Sequence, residues 1–309
     1  MNHRALMYSQ AVDGFLLSLR SNGYSNSTIQ IYKWGLSKLP DKQLASIRKE
    51  DLQEVFTSLY NSNLSMASIE NIWIATRSFW NWAEKEFSIQ RPDNDISKPD
   101  VPDPDIVPYA QSEIKRLLAA CDYTSKSNTH GRTSYRMRRP TAVRDKTIIL
   151  VLLDTGIRVG ELCRLKHGDI NIQTGEIQIH PFGRGIKSKP RTVYISSSTK
   201  SFAWKYTVGQ EYRPGDPLFI TSAGNAFNRK SARLLLSRIG KRAGVNNTHP
   251  HRFRHTFAIE YLRNGGDIYT LQRLLGLSSW KMVRRYLDIA QSDCENAHRR
   301  ASPVENWKL

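Results

Sequence analysis

The stretch from His249 to Tyr286 groups side chains that could act on a phosphate. It begins HPHRFRH and ends RRY. On a helix, His251, Arg254 and His255 would share one face, because residues three and four positions apart lie side by side. A guanidinium can donate to two phosphate oxygens at once, and an imidazole can donate or accept a proton near neutral pH. Taken singly, each residue fits a solvated basic helix, but the combination indicates a phosphate site.

Two segments resemble the signatures of a known family. TGIRVGEL, residues 155–162, resembles the first signature of the tyrosine recombinases (the phage integrase family), and HPHRFRHTFA with the later LLG and RRY resembles the second. The resemblance covers roughly the last two thirds of the chain. It implies an enzyme that cuts and rejoins DNA strands at a specific site through a 3′-phosphotyrosyl intermediate, with neither a metal nor ATP.

The resemblance also implies a role for each matching residue. Tyr286 would attack the scissile phosphate, and Arg158 and Arg254 would neutralise the charge that develops on it. His251 would donate a hydrogen bond to the phosphate or act as a base toward Tyr286. Glu161 would orient Arg158.

The sequence departs from the family at Leu277, where the usual residue is His or Trp. A leucine cannot donate to a phosphate oxygen, and losing one such donor could cost about 2–4 kcal/mol of transition-state stabilisation. The site could need only apolar packing here, which we favour. Alternatively, Trp280 could supply an indole N–H, or the enzyme could be slow. His255 follows the family pattern, and we interpret it as structural.

A β-hairpin is predicted from residues 176–180 and 191–195, joined by a turn-prone segment with two glycines. In the family, a lysine on this hairpin protonates the leaving 5′-oxygen, in the spelling G-K-G-x-K-x-R. Here the sequence reads G-R-G-I-K-S-K-P-R. Lys187 lies nearest the expected position and Lys189 is the alternative, while the simplest interpretation of either is a lysine on the DNA backbone.

The elements that must position these residues fall into two predicted domains. Residues 1–92 show four stretches with apolar residues at helical spacing, which predict four helices. Ser27 is a possible N-cap, and an aromatic stripe is more typical of a core than of base stacking. With their polar, basic outer faces these helices resemble the SAM-like core-binding domain of the family. A proline-rich linker at 93–108 precedes a catalytic α+β domain, 109–309. The fold class is therefore mostly α with a small β-sheet.

Within the second domain, a strongly apolar helix is predicted to end at Gly156, and Cys121 is expected in the core. The basic insertion at 123–144 could be a solvated loop or a phosphate contact. A strand, DPLFI, is predicted at 216–220. The helix that follows it carries basic residues on its outer face, and these, with one from the second signature, are the predicted DNA-binding residues: Arg229, Lys230, Arg233, Arg238, Lys241 and Arg252.

Composition supports a nucleic-acid partner. The 309 residues hold 46 Lys and Arg against 28 Asp and Glu, a formal net charge of +18. No apolar run would span a bilayer, and three scattered cysteines indicate a reducing, cytoplasmic setting without disulfides or zinc. The resemblance to DNA recombinases implies association with the nucleoid. We expect no cofactor. The expected partner is double-stranded DNA with an inverted-repeat core site, bound by a homotetramer on synapsed DNA, and the free protein is expected to be a monomer or a weak oligomer.

Several alternatives stay open at this point. A type IB topoisomerase uses similar chemistry on one duplex, and a catalytically silent DNA-binding protein could keep the fold. The C-terminal tail, which ends near Trp307, could dock on a neighbouring protomer, as is common in the family, or fold back on its own domain. The first predicted helix starts near residue 9, so we expect no separate arm-binding domain.

Overall fold

The computed structural model describes residues 6–103, 105–125, 136–181, 190–290, 298 and 302–309. The chain divides into two units, Met1–Pro104 and Asp105–Leu309. Both units are mainly helical, and a single three-stranded sheet occurs among the described residues. The predicted fold class, mostly α with a small sheet, is confirmed.

The first unit is a helical bundle around an aromatic core. Phe79 and Trp80 are fully buried, and Phe15 packs edge-on against Phe79 with ring centroids 5.7 Å apart. The aromatic stripe is therefore core, as its spacing predicts. The described α-helices of this unit are α1 (Tyr8–Ser21), α2 (Asn26–Leu36), α3 (Lys49–Tyr60) and α4 (Met66–Phe87).

Helix α2 begins at Asn26, two residues earlier than it would if Ser27 were its N-cap. Ser25 is the N-cap, with extended backbone angles, and its hydroxyl accepts a hydrogen bond from the Thr28 amide at 3.2 Å. The chain leaves α1 through Gly23, which has a φ of 76°, and Ser25 is then the last residue before the helix. Ser27 lies inside the first turn, so the predicted cap is wrong.

Residues from the predicted linker pack against the first unit. The Trp73 indole donates to the Ile96 carbonyl at 2.9 Å, and Asp93 is buried in an ion pair with Arg91 at 2.7 Å. A proline-rich composition leaves backbone carbonyls without helical partners, and here one of them is used by a side chain of the bundle.

Charge is distributed unequally between the two units. Met1–Pro104 contains 11 Lys and Arg against 12 Asp and Glu, whereas Asp105–Leu309 contains 35 against 16. Within the predicted N-terminal domain, residues 1–92, there are 10 Lys and Arg against 8 Asp and Glu, and residues 93–104 add one Lys and four Asp. The net positive charge of the chain therefore lies in the second unit.

The second unit is built around helix α6, which packs against α8 on one side and α10 on the other. The apolar residues of α6 and the inward faces of the sheet form one core, in which Cys121 is fully buried as predicted. The described helices of this unit are α5 (Gln111–Ala119), α6 (Ala142–Thr155), α7 (Val159–Leu162), α8 (Ser197–Thr207), α9 (Arg229–Ala243), α10 (Pro250–Arg263), α11 (Ile268–Leu275), α12 (Trp280–Ala290) and α13 (Pro303–Trp307).

The sheet has the order β1 (Ile170–Asn171), β2 (Glu176–Ile179) and β3 (Arg191–Tyr194), with both pairs antiparallel. The strands of the predicted hairpin are therefore confirmed, with Ile177 opposite Val193. The predicted strand at 216–220 is wrong. Among the described residues, that segment makes only isolated bridges, because Leu218 bonds the Leu165 carbonyl outside any ladder.

The described part of the basic insertion is tied to the protein interior. Arg139 and Arg144 both bind the carboxylate of Asp145 at 2.7 Å, and Asp145 is fully buried in the first turn of α6. Two of its arginines are thus used to neutralise a buried carboxylate. Residues 126–135 lie outside the described residues.

Candidate active site

Arg158 is positioned by the junction between α6 and α7. Helix α6 ends at Gly156, whose φ of 60° confirms the predicted stop. Arg158 is the N-cap of α7, and its amide donates to the Glu161 carboxylate at 2.8 Å while its guanidinium donates to the same carboxylate at 3.3 Å. The short helix thereby fixes the backbone and side chain of Arg158 to a single residue.

Arg191 is the residue that sequence reasoning missed. It opens β3 and donates two hydrogen bonds to the Glu161 oxygens, at 3.0 and 2.8 Å, and a third from Nε to the Leu274 carbonyl at 2.7 Å. A bidentate pair of this kind holds both partners in one plane. The sequence contains a signal for it, because Arg191 is the final arginine of the G-R-G-I-K-S-K-P-R segment and matches the arginine that ends the family spelling.

Glu161 is the buried anion that joins these two arginines. Its side chain is 3% exposed. Burial alone would raise its pKa, but the hydrogen bonds and charge of Arg191, followed by those of Arg158, outweigh burial and lower the pKa to about 2. Glu161 is therefore ionised throughout the physiological range.

Arg254 lies on α10 and is almost fully buried. Its Nη1 donates to the Gly156 carbonyl and its Nη2 to the Leu275 carbonyl, both at 2.7 Å. Burial and, after it, the positive charge of Arg158 lower its pKa to about 10, so the guanidinium stays protonated at neutral pH. Arg254 is anchored by backbone carbonyls, which leaves its charge uncompensated by a carboxylate of its own.

Three arginines converge on the C-terminal end of α11. The carbonyls of Leu274, Leu275 and Gly276 accept hydrogen bonds from Arg191, Arg254 and Arg158, at 2.7, 2.7 and 3.3 Å in that order. These carbonyls lie at the negative end of the helix dipole, where the last carbonyls lack partners within the helix. We call this arrangement the arginine cap of α11. It lowers the mutual repulsion of three neighbouring cations.

Tyr286 lies on α12 and is 1% exposed. Its hydroxyl oxygen is 2.9 Å from Nδ1 of His255, and the two rings are tilted by 53°. Burial raises the pKa of Tyr286, although the charges of Arg254, Arg285 and Arg158 oppose that rise. The proposed nucleophile is thus already next to an imidazole and an arginine in the protein alone.

His251 lies nearer the surface, in the first turn of α10. Its ring centroid is 6.5 Å from that of His255, so the two imidazoles share a face of the helix. Burial lowers the pKa of His251, and the positive charge of Arg254 is the second largest cause. His251 is therefore placed at the edge of the site, with Arg254 and His255 deeper.

Leu277 and Trp280 occupy different surroundings. Leu277 is partly buried and packs on the small cluster that contains Tyr286. Trp280 is 40% exposed and meets the ring of Tyr269 edge-on, with centroids 5.3 Å apart. Leu277 thus packs on the apolar cluster to which Tyr286 belongs, and the indole of Trp280 contacts another exposed aromatic ring.

The predicted DNA-binding residues divide into two groups. Arg252 is turned into the protein: its guanidinium donates to carbonyls of Val107, Pro108 and Asn246 and to the Glu113 carboxylate at 2.7 Å. Because most of its N–H groups are used in this way, Arg252 is not among the DNA contacts that we propose. The other predicted residues are exposed on α9: Arg229, Lys230, Arg233, Arg238 and Lys241.

Lys187 and Lys189, the candidate general acids, lie outside the described residues. In the described part of the chain, no group of three or more His, Cys, Asp or Glu side chains is arranged to hold a metal ion. The same residues contain no helix that is long and apolar enough to cross a membrane.

Comparison with known proteins adds to this geometry. The chain is 27% identical to tyrosine recombinase XerA of Pyrococcus furiosus over 96% of both chains. It is 25% identical to tyrosine recombinase XerC of Oceanobacillus iheyensis over 92% of this chain and 90% of that one. A crystal structure of the XerH site-specific recombinase bound to a palindromic difH substrate has the same fold, with a TM-score of 0.69, 21% identity and coverage of 94% and 84%.

The model of the phage integrase family matches residues 109–293, which span the arginine cap, the buried carboxylate and the tyrosine described above. The chain therefore belongs to the phage integrase family, the tyrosine recombinases.

Proposed function

We propose that this tyrosine recombinase cuts and rejoins DNA strands at a specific site through a covalent bond between Tyr286 and a 3′-phosphate. The observation that carries the proposal is the buried Tyr286 hydroxyl, bonded to His255 and facing the charge of Arg254. A tyrosine used only for packing would not need a neighbouring imidazole and guanidinium.

The two catalytic arginines stabilise the transition state by fixed charge. Attack on the phosphate gives a pentacoordinate phosphorane with extra negative charge on its non-bridging oxygens. Arg158 and Arg254 are held by Glu161 and by backbone carbonyls, so little reorganisation is needed when that charge develops. His251, at the edge of the site, is suited to donate a further hydrogen bond to the phosphate.

The leaving 5′-oxygen needs a proton, which we assign to Lys187, with Lys189 as the alternative. Leu277 then contributes packing beside Tyr286 rather than a hydrogen bond. One phosphate ester is exchanged for another in each step, so the bond energy is kept in the phosphotyrosyl link. The reaction consequently needs no ATP, and the charge that a metal would neutralise falls to the arginines.

The proposed partner is double-stranded DNA, bound mainly through the strongly basic second unit. The exposed residues of α9 are suited to phosphate and base contacts. XerH is bound to a palindromic substrate in its crystal structure, which supports an inverted-repeat site. The proposed assembly is a homotetramer on synapsed DNA. In the tail, Val304, Trp307 and Leu309 are exposed, which favours docking on a neighbouring protomer.

The test begins by selecting a bound duplex from a randomised library and placing a nick next to its centre. The wild-type protein and Tyr286→Phe are incubated with this duplex in EDTA, and denaturing gels are read for a covalent band. We expect the band for the wild type alone. Tight binding by both proteins without a band would refute the proposal and favour a silent DNA-binding protein.

The other enzyme candidate is a type IB topoisomerase. It would relax any supercoiled plasmid, whereas a site-specific recombinase requires its selected site. Relaxation of a plasmid that lacks the selected site, at a rate equal to that of a plasmid containing it, would overturn the assignment of site-specific recombination while leaving the tyrosine chemistry intact.

A further inference from the structure

His255 has contacts that a purely structural histidine does not need. Its Nδ1 lies 2.9 Å from the hydroxyl oxygen of Tyr286. Because Tyr286 is 1% exposed, bulk water has little access to that hydroxyl. The nucleophile must lose its proton during attack, and among the described residues the imidazole of His255 is in place to take it.

We propose that His255 is a further catalytic residue, which accepts the proton of Tyr286 as the tyrosine attacks the scissile phosphate. The inference rests on the proposed phosphotyrosyl chemistry. It assigns the base to the second histidine of the HPHRFRH segment and leaves His251 as the hydrogen-bond donor at the edge of the site.

The protonation state of His255 suits an acceptor. Burial lowers its pKa, and the neighbouring His251, His249, Arg254 and Arg285 lower it further, to about 4. The ring is therefore neutral at pH 7. With its proton on Nε2, it offers the Nδ1 lone pair to the tyrosine hydroxyl.

A base this weak does not ionise a phenol in the resting protein, and the proton transfer must therefore accompany the attack. As the bond between Oη and phosphorus forms, the phenol oxygen loses electron density and its proton becomes acidic. The phosphodiester also brings negative charge next to the ring, which favours imidazolium. Transfer timed in this way keeps Tyr286 protonated until DNA is bound.

Atoms and charges balance in both directions. In cleavage, the Oη lone pair forms the bond to phosphorus, the hydroxyl proton moves to Nδ1, and the bond from phosphorus to the 5′-oxygen breaks. That oxygen takes a proton from the general acid, assigned to Lys187. In rejoining, a 5′-hydroxyl gives its proton to the lysine and attacks phosphorus, and Oη leaves with the proton that His255 returns.

The geometry of the two histidines separates their roles. His251 lies in the first turn of α10 near the surface, and His255 lies one turn deeper, against Tyr286. Both are altered in the same way by substitution with asparagine, whose amide oxygen can occupy roughly the position of Nδ1. Asparagine preserves an acceptor for the tyrosine hydroxyl but cannot take up a proton.

The experiment compares His255→Asn with His251→Asn in single-turnover cleavage of the nicked, selected duplex. We expect His255→Asn to bind this duplex with unchanged affinity and to cleave it about 10²–10⁴-fold more slowly, the usual range for loss of a general base. Replacing Tyr286 by difluorotyrosine, whose phenol ionises at lower pH, should restore much of the rate in His255→Asn and little in His251→Asn.

Two results would overturn the role of His255. The first is cleavage by His255→Asn within threefold of the wild-type rate. The second is an equal effect of difluorotyrosine in both histidine variants. Wild-type cleavage and its loss in Tyr286→Phe are measured in the same assay, so the phosphotyrosyl proposal can stand while the role of His255 fails.

A measurement on the wild-type protein covers the case in which His255→Asn does not fold. Nitrogen-15 NMR distinguishes a ring nitrogen that carries a proton from one that accepts a hydrogen bond. At pH 7 we expect Nδ1 of His255 to be the unprotonated nitrogen. A protonated Nδ1 that donates to Tyr286 would contradict the proposed direction of transfer.

Discussion

Replacing Arg191 with lysine should lower both the stability of the second unit and the rate of DNA cleavage. Arg191 makes two hydrogen bonds to Glu161 and one to the Leu274 carbonyl. Lysine keeps the positive charge but cannot reach both carboxylate oxygens and the carbonyl in one plane. The variant therefore leaves a buried carboxylate with one fewer partner and a buried carbonyl without its donor.

The expected loss of stability follows from those contacts. Two of the three hydrogen bonds are lost, one of them to a buried charge, at about 1–2 kcal/mol each. Complete removal of a buried partner would cost roughly 3–5 kcal/mol, and lysine retains part of that interaction. We expect a decrease of about 2–4 kcal/mol in the free energy of unfolding, which corresponds to roughly 5–15 °C in Tm for a unit of this size.

The cleavage rate should fall because Glu161 also holds Arg158. A carboxylate freed on one side can rotate, and a misplaced charge clamp costs about 10–100-fold in rate. The assays are thermal unfolding followed by circular dichroism and single-turnover cleavage of the selected duplex. Arg233→Lys, on the exposed surface of α9, is the matched control and should leave Tm unchanged.

Unchanged Tm and cleavage rate in Arg191→Lys would refute this reasoning, since they would mean that Glu161 and Arg158 are held without Arg191. A double-mutant cycle sharpens the test. Arg191→Met leaves the buried Glu161 carboxylate with Arg158 as its remaining cationic partner, whereas adding Glu161→Gln removes the negative charge. The double variant should therefore lose less free energy of unfolding than the sum of the losses measured in the two single variants.

Three further predictions address other parts of the second unit. Gly156→Ala should destabilise the protein by more than about 2 kcal/mol in urea unfolding, because a φ of 60° disfavours a side chain and its Cβ would lie 2.5 Å from Phe257. The depressed pKa of Glu161, about 2 against an ordinary 4.5, contributes roughly 3 kcal/mol above pH 4.5, and acid titration of stability should show it lost between pH 4.5 and 2, less steeply in Glu161→Gln. Arg233→Ala should reduce the salt dependence of DNA binding by about one unit of slope, whereas Arg252→Ala should leave the slope unchanged and lower Tm.

The residues that carry charge or a nucleophile could be predicted from the sequence because the chemistry restricts their type. Arg158, Arg254 and Tyr286 stand in recognisable spacings, and the structure brings them together with Glu161. Arg191 was not predicted, although its type was visible, since its partner is 30 residues away in the chain and contacts of that range are set by tertiary packing.

The acceptors that anchor the arginines were beyond sequence reasoning for a different reason. Backbone carbonyls are present in every residue, so nothing in the letters indicates which of them point into a site. Local sequence patterns also failed to predict the N-cap at Ser25 and the isolated bridges at 216–220, because tertiary contacts decide where a helix begins and whether an apolar segment joins a sheet. Periodicity predicted the helices, and tertiary contacts decided their ends and uses.

The arginine cap of α11 has a consequence for how this site tolerates change over evolution. Its acceptors are main-chain atoms, so these hydrogen bonds place no demand on the side chains of residues 274 and 275, which are restricted instead by core packing. Deleting one residue from α11 would instead rotate its last turn by about 100° and carry all three acceptors away from their arginines. The length of α11 is therefore the constraint that the arginine cap imposes, and Leu277, which follows the last of these carbonyls, takes no part in it.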